Sequence, residues 1–155
     1  MFRTHPRAAT ALLSSVLWAL LLSGCGAVSG APVPEPSPSG SAAVGCRAVM
    51  ARLPGTVDGL SRTATGTFTA SWGDPAVTLR CGVPRPAGLT STSRCDEVDG
   101  VGWYSEEFTE IWRFTTIGRS GYVEVTVPAV HSPAADALVD LAAAVSAMPE
   151  VSACR

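Results

Sequence analysis

Polar and apolar residues alternate through the middle of the chain. In "TFTASW", Phe68, Ala70 and Trp72 share one face while Thr67, Thr69 and Ser71 share the other. After Gly73-Asp74-Pro75, "AVTLRC" sets Val77, Leu79 and Cys81 together, with Thr78 and Arg80 opposite. A period of two predicts strands, and the Asp-Pro pair predicts a tight turn between them. "EIWRFTTIG" and "YVEVTVP" are the clearest strands. In the second, Val123, Val125 and Val127 face away from Tyr122, Glu124 and Thr126. "CDEVDGVGWYSEEF" has Val98, Val101 and Trp103 as its apolar points and a turn at Asp99-Gly100, whereas residues 82–94 are turn-prone and read as a surface loop.

Helical spacing is confined to the two ends of this region. Cys46, Val49, Met50 and Leu53 repeat every three to four residues until Pro54-Gly55. Ser132-Pro133 reads as an N-cap with proline in the first turn. Ala134, Leu138, Leu141, Ala142, Val145 and Met148 then mark one face, ended by Pro149. The order is helix, about five strands, helix. Strands joined by short turns form an antiparallel sheet, so the expected class is α+β, with an N-terminal and a C-terminal helix on one face of the sheet.

The N-terminus sets the expected compartment. Arg3, His5 and Arg7 precede an apolar run from Ala8 to Leu22, which is shorter than the roughly 20 residues a membrane-spanning helix needs. It ends in "LSGC", which resembles the lipobox of bacterial lipoproteins. That resemblance implies cleavage after residue 24 and acylation of Cys25, palmitate included, with the lipid bilayer as partner. Residues 26–44 are almost wholly Ala, Pro, Ser, Gly and Val with one charge, a composition that does not offset its own ordering entropy. As a flexible coil such a tether reaches roughly 25 Å, and as polyproline II about 60 Å. The expected division is a signal peptide at 1–24, lipidated Cys25 and tether at 25–44, and one domain at 45–155.

Charge and cysteine usage narrow the function classes. Of 11 basic residues, Arg3 and Arg7 leave with the signal, so nine face 13 acidic ones and the mature net charge is near −4. That balance argues against nucleic acid as a partner. Four cysteines remain after Cys25: Cys46, Cys81, Cys95 and Cys154. An even number in a small exported domain indicates two disulfides, and none of the spacings suits a Cys-x-x-Cys redox site or a zinc site. Loop-closure entropy leaves the pairing open. Cys46–Cys81 with Cys95–Cys154 gives about 3.8 and 4.3 kcal/mol, while Cys81–Cys95 with Cys46–Cys154 gives about 3.0 and 4.8 kcal/mol.

Five ordered segments carry a wider resemblance: "CRAVMARLP" at 46–54, "WGDPAVTLRCGVPRP" at 72–86, "VDGVGW" at 98–103, "RFTTIGR" at 113–119 and "YVEVTVP" at 122–128. Together they resemble the domain-of-unknown-function family three-five-one-five of high-GC Gram-positive bacteria, many of them lipoproteins. The resemblance implies an envelope location and no catalytic residues, and it favours a Cys46–Cys81 pair. Side-chain direction agrees, because Cys46 lies on the apolar helix face and Cys81 on the Val77/Leu79 face.

Candidate sites are few. A reactive Cys81 activated by Arg80 is disfavoured, since alternation puts Arg80 on the other face. Asp96, Glu97, Asp99, Glu106, Glu107 and Glu110 lack an EF-hand spacing and read as solvated strand faces, with no metal. His131 stands alone, without a nucleophile motif. Among the aromatic residues Trp72 belongs with the core, whereas Tyr104 and Tyr122 on outward faces are the candidates for ligand contact. The expectation is an envelope lipoprotein without cofactor or catalytic residue, serving as an interaction module for an envelope protein or ligand. The alternative is a small-molecule or lipid-binding lipoprotein, with an enzyme third.

Overall fold

A computed structural model describes residues 32–154. The segment expected to be a signal peptide, and Cys25, therefore lie outside the described residues. The chain forms α1 (Gly40–Met50), then β1 (Thr56–Val57), β2 (Leu60–Thr65), β3 (Thr69–Trp72), β4 (Val77–Val83), β5 (Asp96–Val98), β6 (Val101–Glu107), β7 (Ile111–Ile117), β8 (Tyr122–Pro128) and α2 (Asp136–Val145). The class is α+β and the sheet is antiparallel. It has eight strands rather than about five, in the order β1-β2-β3-β4-β8-β7-β6-β5. Two four-stranded meanders meet where β4 pairs with β8, through Leu79↔Val125 and Cys81↔Val123.

The additional strands are short or polar. β1 has two residues and β5 three, and β2 exposes most of its length, so none shows a period-two apolar signal. Two Asp-Gly pairs make them possible. Asp58 and Gly59 have φ of 50° and 71°, and Asp99 and Gly100 have 46° and 75°. Two successive positive φ values match the twist of a two-residue hairpin. Val57↔Leu60 and Val98↔Val101 close the two turns.

The sheet and the two helices contribute to a single apolar cluster. It includes Cys46, Val49, Trp72, Leu79, Cys81, Trp103, Val125, Leu138, Leu141 and Met148, all at most 1% exposed. The helices touch each other as well as the sheet. Cys46–Cys81 pins α1 to β4, with Cα atoms 5.5 Å apart. Cys95–Cys154, Cα atoms 5.7 Å apart, fastens the start of β5 to the C-terminal tail. α2 begins at Asp136 behind Ala135, and Ser132 does not cap it. A tight turn with Asp136 N–H donating to the Pro133 carbonyl occupies that stretch instead.

The folded part extends N-terminal to Gly45. α1 starts at Gly40, and Pro36 is buried. Glu35 accepts hydrogen bonds from the Phe68 N–H and, at 2.8 Å, from the Thr69 hydroxyl, and Arg80 Nε donates to the Pro34 carbonyl at 3.0 Å. Small residues make this close packing possible. A Cβ on Gly45 would overlap Met148, and one on Gly121 would overlap Ala42.

Candidate functional site

The sheet's outer face carries the polar half of each alternating strand, and its charges are largely paired. Arg80 Nη1 lies 3.1 Å from Glu124, Arg113 lies 3.7 Å from Glu124, and Arg113 lies 3.9 Å from Glu106. The ladder crosses β4, β8, β7 and β6 because their register sets Arg80 opposite Glu124 and Glu106 opposite Arg113. The central carboxylates are thereby neutralised within the domain.

Topology builds a cleft beside this ladder. After β4 the chain must pass from the middle of the sheet to its far edge, across β8, β7 and β6, before β5 can begin. The crossing loop lies on the outer face. Leu89 is buried there, and a Cβ on Gly88 would overlap the Tyr104 hydroxyl. From the other side the C-terminal tail wraps the same sheet end. The Ser120 N–H donates to the Pro149 carbonyl at 2.8 Å, and the N–H groups of Val151 and Ser152 donate to the Gly118 carbonyl at 2.7 and 3.1 Å. Cys95–Cys154 ties loop and tail together.

Between them is an open cleft of about 430 Å³, lined by the loop (Arg85, Leu89, Thr90, Ser91, Ser93, Cys95), the β7–β8 turn (Ile117, Gly118, Arg119, Tyr122) and the tail (Val151, Ser152, Ala153). Among the described residues its lining includes two guanidinium groups and five hydroxyls but no carboxylate and no histidine. Arg85 donates to the Leu89 carbonyl at 2.7 Å and to the Tyr122 hydroxyl at 3.2 Å. Arg119 donates to the carbonyls of Met148 (3.1 Å) and Gly100 (2.8 Å). Carbonyls orient these side chains without cancelling their charge, and neither arginine forms an ion pair among the described residues.

Of the two tyrosines singled out by sequence, Tyr122 lines the cleft. Tyr104 sits half-buried under Gly88, outside it. Arg85, Arg119 and the loop hydroxyls were not legible as a site, and only the Cys95–Cys154 pairing hinted that loop and tail meet. Cys81 is in a disulfide and fully buried, with Arg80 turned to the other face. The acidic run is dispersed. Asp96 meets Arg94 and the Ser105 hydroxyl, Glu106 faces Arg113, and the described residues contain no cluster suited to a metal. His131 bonds the Pro75 carbonyl at 2.9 Å, at the opposite end of the sheet from the cleft.

Residues 8–153 match the model of a family described as "Protein of unknown function (DUF3515)". The chain belongs to this family. No curated protein and no solved structure matches it. In this DUF3515 protein the cleft depends on Gly118, whose φ is +74° and whose hydrogen would, as a Cβ, overlap the Ser152 carbonyl oxygen. Because Cys154 holds the tail in place, Gly118→Ala is expected to cost about 3 kcal/mol, from the left-handed backbone and two weakened backbone hydrogen bonds. Urea denaturation of the oxidised protein measures this, and an unchanged midpoint refutes it.

Proposed function

We propose that this DUF3515 protein is a membrane-anchored, extracytoplasmic lipoprotein whose domain works by recognition rather than catalysis, with the cleft as its recognition surface. The observation that carries the reading is the cleft lining. Among the described residues it offers hydrogen-bond donors and two positive charges outside any ion pair, but no base to activate its serines. The signal-like N-terminus and the lipobox-like "LSGC" support the anchoring. The alternative, a carrier that encloses a small molecule or lipid, needs room behind the sheet. Trp72, Leu79, Trp103, Leu138, Leu141 and Met148 occupy that space.

In-cell crosslinking from a photoreactive residue at Ser91 tests the reading, in the wild type and in Cys25→Ser. The wild type is expected to incorporate fatty acid, fractionate with membranes and give a defined crosslinked species that a probe at His131 does not give. Cys25→Ser is expected to lose the label and the membrane association. A Cys25→Ser protein that stays labelled and membrane-bound refutes the anchor. Identical crosslinks from Ser91 and His131 refute the cleft as the recognition surface.

A further inference from the structure

We infer that the cleft between the crossing loop and the C-terminal tail binds a phosphate group, held by Arg85 with the hydroxyls of Tyr122 and the loop serines and by the charge of Arg119. The inference rests on reading this cleft as the recognition surface and adds the chemistry of what is recognised. Four observations converge on it. First, the domain is net acidic, yet no carboxylate among the described residues lines this cleft. The second, smaller cleft beside it takes Glu97 and Glu150 instead, and shares Ile117, Arg119, Ser152 and Ala153 with the first. Second, the other arginines of the outer face, Arg80 and Arg113, are consumed by Glu124 and Glu106. Among the described residues Arg85 and Arg119 meet only neutral oxygens, so an anion entering the cleft finds charge that those residues have not cancelled. Third, Arg85 is held by the Leu89 carbonyl on one nitrogen, while its other contact is a tyrosine hydroxyl that can rotate to donate to an oxyanion. A guanidinium with neighbouring hydroxyl donors matches the three acceptor oxygens of a phosphate group.

The fourth observation concerns position. Pro34 meets Arg80, and Pro38 packs on Gly82, next to Val83, which pairs with Tyr122. The N-terminal segment therefore leaves the domain at the cleft end of the sheet. With Pro34 nine positions after Cys25, an acylated Cys25 keeps that end within roughly 30 Å of the bilayer. A phosphate at this end comes from a lipid headgroup or from a free phosphorylated ligand.

Isothermal titration of the full chain in a neutral detergent separates these sources. One arm uses inorganic phosphate and the other a short-chain phosphatidylglycerol below its micelle concentration. Saturable binding in either arm is expected, and the tighter arm identifies the source. Arg85→Glu, an exposed change that leaves the fold's hydrogen-bonded ladder untouched, is expected to weaken binding about tenfold or more, since a charge-assisted hydrogen bond is worth at least a decade in affinity. Tyr122→Phe should weaken it by a smaller factor. No saturable heat in either arm overturns the proposal, as does affinity unchanged in Arg85→Glu. Either result leaves the crosslinking outcome from Ser91 to stand or fall separately.

Discussion

Replacing Cys46 and Cys81 together by alanine is expected to destabilise the domain by about 4–5 kcal/mol, most of it from the freed 35-residue loop and the rest from two lost buried sulfurs. Both cysteines are 0% exposed, and their bond is the covalent link between α1 and the middle of the sheet. A cost of that size is a large share of the 5–15 kcal/mol typical of a small domain. The comparison with Cys95 and Cys154 decides which physics controls. Their 59-residue separation gives the larger loop term, about 4.3 kcal/mol. Without the bond, however, the short tail beyond Pro149 can fray in the native state, and that regained entropy offsets part of the loss. The Cys95/Cys154 double alanine variant should therefore cost less than the Cys46/Cys81 one in parallel urea denaturation. The reverse order would mean that loop length alone governs and that the packing argument fails.

What the sequence displayed, and what it hid, follows from where each feature gets its stability. β4 and β8 lie at the centre of the sheet with one face packed, and β4 alternates buried and half-buried residues without a break. Such strands advertise themselves. β2 owes its place to Asp58-Gly59 and to pairing with β3, not to any apolar face of its own. The same Asp-Gly chemistry at 99–100 was readable because Val101 and Trp103 follow it in alternation, whereas after 58–59 Leu60 gives way to the polar run Ser61, Arg62 and Thr63. The start of α1 was hidden for a different reason. Ala42 looks like a linker residue, yet its small size lets α1 approach Gly121, as Gly45 lets it approach Met148. The cleft was least legible of all. It joins residues near 85–95, 117–122 and 151–153, and only the sheet order and the second disulfide bring those stretches together.

Trp72→Ala is expected to cost about 4–5 kcal/mol, near the upper end for a large buried aromatic side chain. Trp72 is fully buried, and its indole N–H donates to the Pro54 carbonyl at 3.1 Å. The Arg62 guanidinium lies over the ring, 5.8 Å from its centroid, and donates to the carbonyls of Leu53 and Pro54. One side chain on β3 thus fixes the segment leaving α1 and the strand beside it. Removing the ring opens a cavity and takes away the surface over which Arg62 is held, so the β1–β2 hairpin should loosen first. Trp72→Phe keeps most of the volume and loses chiefly the indole hydrogen bond, for an expected cost of about 1–2 kcal/mol. Two measurements separate these effects. Urea denaturation followed by far-ultraviolet circular dichroism reports the global loss, and amide hydrogen exchange reports the hairpin. In Trp72→Phe the amides of β2 should exchange faster while those of β4 and β8 keep their protection. Uniform acceleration across the sheet would show that Trp72 supports the whole core equally. A Trp72→Ala midpoint close to the wild type would mean that the core refills the cavity, and the assigned role of the ring would fall with it.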